Sequence, residues 1–202
     1  MKGLRAGLCL WPVLLAGCGA KLSSSLPAGA PAVSYVGAHA GVLAAAALEG
    51  EVDALQRELE RIARRASAVP VQLSRAGNVL KLQLGAVESF GPGSAQLEPA
   101  ALAFYAQLSD ILRQRPGTVA HILVHGDVAA SGERSTDLTA RRAISLQGYL
   151  ASRGVPGTRL RAEGRGVAEP LTPDGAAASR RIELVLKPIV AGREAEAWAP
   201  PS

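Results

Sequence analysis

His125 to Ala143 reads HGDVAASGERSTDLTARRA, and the rest of the chain is read outward from it. Just before it, Thr118 to Val124 is a nearly continuous apolar run, which predicts a strand buried in the middle of a sheet. His125-Gly126-Asp127 then leaves that strand for a loop rich in Gly, Ala and Ser. Ser135 or Thr136 is the expected N-cap of a helix running to Arg153, with Asp137 in its first turn. Gly154 suits the position just past its end, with Pro156 beyond. One carboxylate, Asp127, and one guanidinium, Arg142, therefore flank a strand-to-helix turn.

Upstream, Val71 to Leu73 and Val79 to Leu84 flank Arg75-Ala76-Gly77-Asn78, which predicts a hairpin. Leu97 to Arg115 predicts an amphipathic helix. Pro99 falls in its first turn, Leu102, Tyr105, Leu108 and Leu112 form its buried stripe, and Pro116-Gly117 stops it. Downstream, Arg159 to Ala162 and Arg181 to Lys187 read as two further strands. The sum is an α+β domain of order βαβαββ over residues 70–188, its helices packed on a small mixed sheet. A helix precedes it over 38–69, with Leu48, Val52, Leu55, Leu59 and Ile62 as one stripe. That helix is expected to dock on the domain or to act as a spacer, on the order of 45 Å long, more than to dimerise as a coil. The Pro, Ala, Gly and charged residues of 189–202 are expected to be a disordered tail.

The first eighteen residues carry Lys2 and Arg5, a short apolar run from Gly7 to Leu15, and Leu15-Ala16-Gly17-Cys18. The run is too short to span a bilayer and reads as a signal peptide over 1–17. The tetrad resembles the bacterial lipobox, which implies cleavage before Cys18 and an acylated, palmitate-bearing N-terminus at that residue. Residues 18–37, rich in Ser, Ala, Gly and Pro, read as a lipid-attached tether. The two cysteines, Cys9 and Cys18, both fall here, so the body of the chain has no disulfide framework and no cysteine metal site.

The net charge of +5 is modest, and aromatic residues are only 3% of the chain, too few for base stacking, so nucleic acid is not an expected partner. His125, Asp127 and Ser131 include the residue types of a catalytic triad. They lie on one short segment without a nucleophile elbow, and triads converge from distant elements, so no catalytic residue is assigned. His121 and His125 share a strand face but stand about 13 Å apart along it, too far for one ion, so neither a metal nor a cofactor is expected. What remains is an acceptor-only carboxylate and a guanidinium fork. They suit the two ends of a zwitterion, or one another in a plain ion pair, and the residue types leave both open.

From Val71 to Lys187 the chain resembles the OmpA-like domain. The resemblance runs through Phe90 with Leu97-Glu98-Pro99, Asp127, Leu138 to Ala143, Tyr149-Leu150, Gly164-Arg165-Gly166 and Arg180 to Glu183. It implies non-covalent binding of peptidoglycan, with Asp127 and Arg142 clamping the amine and carboxylate of a diaminopimelate-type stem peptide. His125, Gly126, Ser135 and Arg181 would support the clamp. It departs from the family where Gly126 stands before the aspartate in place of threonine and Ser135 stands in place of asparagine. Together with the lipobox, it predicts a non-enzymatic outer-membrane lipoprotein on the periplasmic face, partnered by peptidoglycan, membrane lipid and other envelope proteins. An envelope adaptor that holds a protein through a degenerate copy of the domain is the alternative.

Overall fold

The computed structural model describes residues 41–126, 132–167 and 180–200, with the backbone alone at 132–134. Five strands form one sheet: β1 (Val71–Ala76), β2 (Val79–Gly85), β3 (Thr118–His125), β4 (Leu160–Gly166) and β5 (Arg181–Pro188). Their order is β1-β2-β5-β3-β4, antiparallel throughout except for the parallel pair β3 and β4. The hairpin turns at Gly77, whose φ of 57° is open to glycine at no steric cost. The β3–β4 crossover carries α4 (Gly132–Ser152), as a parallel pair requires.

One face of the sheet is covered by α1 (Leu48–Arg65), α3 (Pro99–Gln114) and α4, while α2 (Ala86–Ser89) is a single turn at its edge. Leu80, Leu82 and Leu84 of β2, Ile182, Leu184 and Leu186 of β5, and Ile122 and Val124 of β3 alternate onto that face. They meet Leu55 and Leu59 of α1, Leu108 and Leu112 of α3, and Leu146 and Leu150 of α4 in one core. Pro99 starts α3 at its first position. Its carboxyl end is capped from a distance by buried Arg159, which donates to the carbonyls of Leu112, Arg115 and Thr118 at 2.8–2.9 Å.

The helix at the front of the chain is part of this core and not a spacer. Its stripe of Leu48, Val52, Leu55, Leu59 and Ile62 is buried throughout. Arg115 pins one flank through Glu51 at 2.6 Å and Glu58 at 2.9 Å, and Arg75 pins the other through Asp53. Burying five such side chains withdraws on the order of 10 kcal/mol of apolar surface from water before entropy is counted. That same stripe is what a dimerising coil would have needed.

The tail also departs from expectation. Among residues 189–200, Ile189 and Ala197 are buried against Val119 on the sheet's other face, and α5 (Glu194–Trp198) forms there. His121 bonds the carbonyl of Ala197 at 2.8 Å and Trp198 lies 5.5 Å from the Arg161 guanidinium. Composition suggested disorder, but three apolar residues find seats that the strand alternation of β3 leaves open. Leu43 pairs with Val190, so the first described residues and the tail are stitched together beside the start of β3.

Three boundaries differ as well. The front helix begins at Leu48 and ends at Arg65, shorter than the expected 38–69. The helix α4 begins at Gly132, ahead of the expected caps Ser135 and Thr136. Strand β4 runs on to Gly166 because Gly164 has no side chain where α4 crosses it at Thr139 and Ala140.

Candidate functional site

The carboxyl ends of β2, β3 and β4 and the start of β5 converge at one end of the sheet, where the registers pair Gly85 with Arg181, Val124 with Ile182, and His125 with Gly166. This is the end of an open sheet at which loops present ligand groups. A register shift between Val124 and His125 re-aims the chain as it leaves the sheet. Gly126 then donates to the carbonyl of Gly166 at 2.6 Å. A side chain at Gly126 would run into the hydroxyl of Ser135, which is itself buried. Thr139 completes the junction: its hydroxyl bonds the Thr136 carbonyl at 3.0 Å and accepts from the Gly166 amide at 3.1 Å.

Arg142 projects from α4 toward the loop after α2. The residue is 8% exposed. Nε donates to the Ser94 carbonyl at 2.8 Å and Nη2 to the Gly91 carbonyl at 3.0 Å. Its plane sits over Phe90, 5.2 Å from the ring centroid. Gly91-Pro92-Gly93-Ser94 is a tight turn closed by the Ser94 amide on the Gly91 carbonyl, with Gly93 at φ 66°. Proline second and glycine third are what a type II turn requires. The turn thus holds two carbonyls at fork spacing. Among the described residues, Nη1 of Arg142 makes no hydrogen bond, so one edge of the guanidinium is left to an outside acceptor. Burial, and then the charge of Arg180, push the Arg142 pKa below its ordinary value.

The structure divides the expected site residues. Arg142, Ser135 and Gly126 share the α4 side of the sheet end. His125 and Arg181 do not join them. Ile182 faces the helices, so its neighbours Arg181 and Glu183 face the other way. There Arg181 donates to Glu183 at 2.7 Å, Lys81 approaches the same carboxylate at 3.7 Å, and His125 lies in its field. Burial works against the charge on Glu183, but Arg181, Lys81 and His125 outweigh it and hold its carboxyl below the usual range. Asp127 and Cys18 lie outside the described residues. Asp137 pairs with Arg141, one turn on, at 2.8 Å.

Phe90, the turn carbonyls, Thr139 and Glu183 were not singled out as site residues from sequence. Gly-Pro-Gly-Ser was the available signal for the turn, but nothing in sequence ties it to Arg142. Among the described residues there is no cluster of three or more His, Cys, Asp or Glu side chains that could hold a metal ion, and no helix long and apolar enough to cross a membrane.

Residues 89–183 match the protein-family model described as the OmpA family. The chain is 29% identical to the probable lipoprotein YiaD of Escherichia coli over 123 residues, covering 59% of this chain and 56% of that one. It is 32% identical to the peptidoglycan-binding protein ArfA of Mycobacterium tuberculosis over 102 residues, covering 48% of this chain and 31% of ArfA. The chain thus spans about half, or less, of the length of these curated relatives. Among solved structures, the cell wall anchor of the T6SS from Pseudomonas aeruginosa superposes with a TM-score of 0.55 at 25% identity, covering 66% of this chain and 96% of that one.

Proposed function

We propose, on the premise that residues 89–183 form an OmpA-family domain, that this chain is a non-catalytic anchor that binds peptidoglycan. In this reading Cys18 carries the lipid that holds the chain at the outer membrane, facing the periplasm. The domain grips the stem peptide, and the chain ties membrane to wall, with other envelope proteins as further partners. The names of ArfA and of the cell wall anchor support the binding partner, and that of YiaD supports the lipoprotein class.

The observation that carries the reading is the Arg142 guanidinium, buried and fixed by Phe90 and the 91–94 turn with one edge unspent. A carboxylate of the stem peptide would meet Nη1, and Asp127 would take the ammonium of the same zwitterion. Gly126, Ser135 and Thr139 set the direction in which the chain leaves β3 toward Asp127. A charge-assisted hydrogen bond contributes about 1.5–3 kcal/mol, so each site is weak. Grip then comes from many tethered copies acting at high effective concentration.

The test is co-sedimentation of the full chain with purified sacculi. Wild type should pellet. Asp127→Asn and Arg142→Lys should each weaken pelleting about tenfold or more while the circular dichroism spectrum is unchanged. Wild type that stays in the supernatant would overturn the reading and turn the domain into a protein-binding adaptor.

A further inference from the structure

The outer ridge of α1 is basic, and nothing among the described residues uses it. The acids of the helix are all engaged: Glu51 and Glu58 hold Arg115, Asp53 and Glu49 hold Arg75, and Glu60 meets Gln56 and Arg64. Of its arginines, Arg64 alone has an ion pair among the described residues, with Glu60. Arg57, Arg61 and Arg65 are exposed and, among the described residues, make no ion pair or hydrogen bond. They stand four apart, so their charges follow one line along the helix. Like charges at that spacing destabilise a helix. The helix dipole accounts for Arg65 in the last turn but not for Arg57 or Arg61. Glu51, Asp53 and Glu58 of α1 are turned to arginines of the domain, while Arg57, Arg61 and Arg65 are turned to solvent.

We propose that the Arg57, Arg61 and Arg65 ridge lays the domain against an anionic phospholipid surface. Charge complementarity carries the proposal, and position supports it. Helix α1 is the first long element after the stretch read from its composition as a tether, and roughly 20 residues of such composition span about 25 Å. A lipid at Cys18, on which the proposal rests, therefore keeps the ridge within reach of headgroups. Each arginine at such a surface strengthens binding roughly fivefold, so three give on the order of a hundredfold.

The experiment is flotation of the chain from residue 18 onward carrying Cys18→Ser, so that neither leader nor acyl chain contributes, with two vesicle types. One is phosphatidylcholine alone and the other is phosphatidylcholine with phosphatidylglycerol. The chain should float with the anionic vesicles, less so in high salt. Arg57→Gln, Arg61→Gln and Arg65→Gln together should cost roughly a hundredfold in that binding. A net-charge control, Arg141→Gln with Arg153→Gln and Arg193→Gln, should cost much less. Equal flotation with both vesicle types, or equal losses in the two triple variants, overturns the proposal. So does a ridge variant that loses sacculi and not vesicles, which would hand the ridge to the wall polymer. Acylation is read separately, by palmitate labelling of the unaltered chain in cells. Its failure would remove the anchor reading and leave the vesicle result standing.

Discussion

Arg142 is held by three groups that never touch a ligand in the proposed reading: the Phe90 ring and the carbonyls of Gly91 and Ser94. Each fixes a different degree of freedom, the ring setting the plane of the guanidinium and the carbonyls setting its rotation. Phe90→Leu keeps an apolar side chain but loses the ring face, a change worth about 1 kcal/mol. The expected result is a several-fold loss of sacculus binding with a small fall in melting temperature. A loss no larger than that of Val87→Leu, an exposed neighbour, would remove Phe90 from the account. A second residue makes a pH prediction. Burial, and then the nearby charges of Lys187 and Arg161, hold the His121 pKa below its ordinary 6.5 despite the bond to Ala197. The unfolded chain therefore takes up a proton at higher pH than the folded one does. Stability is complete above about 6.5 and falls as the pH drops below it toward the folded value. Thermal melts from pH 7.5 to 5 should show that fall, and His121→Gln should flatten it.

At the scale of elements, what the sequence discloses is periodicity, and what it conceals is which face a strand turns to a neighbour. The stripe of α1, Pro99 at the head of α3, the Gly77 turn and Gly154 at φ 91° past the end of α4 were all legible, because each rests on a local rule. Docking of α1 was one of two expected roles. Which one holds depends on Arg75 and Arg115, from 22 to 64 residues away from their partners along the chain. In the candidate site, Arg142 was legible from its chemistry. Its capture by the 91–94 turn was not, since 48 residues separate it from Ser94. His125 and Arg181 were assigned to the same clamp by the family resemblance, which does not show the face each one takes. Alternation along β5, and a register shift at the end of β3, send them to the other face. The docked role of α1 makes a prediction of its own. Leu59, wholly buried in the core, should cost about 2–5 kcal/mol when cut to Ala. A chain of this length should then melt lower by about 2–4 °C for each kcal/mol. A melt unchanged by Leu59→Ala would mean that α1 contributes nothing to the domain's cooperative unit.

At the scale of the whole molecule, the two ends of the sheet gather different parts of the chain. The loops around Arg142 gather where β3 ends. The first described residues enter where β3 begins: Leu43 accepts from Ala191, Leu43 donates to Ile189, and Ile189 donates to Gly117. Eight residues of β3 lie between, about 25 Å of strand. A pull between a tether at one end and a ligand at the other would run along β3 and its partner β5, whose ladder bonds lie across the pull and share it. The tail takes part in that path, because it holds both Leu43 and the far face of β3. Removing residues 189–202 exposes Val119 and His121 and deletes the pairing partner of Leu43. Losing the burial of Ile189 and Val190 alone should cost about 3–6 kcal/mol and lower the melting temperature by roughly ten degrees or more. Binding should respond differently. Below its transition, the shortened chain should pellet with sacculi as well as the whole chain does, because no part of the tail reaches Arg142, Gly91 or Ser94 among the described contacts. Loss of pelleting in a still-folded truncation would show that the two ends of the sheet are coupled and that the tail acts on the ligand end through β3.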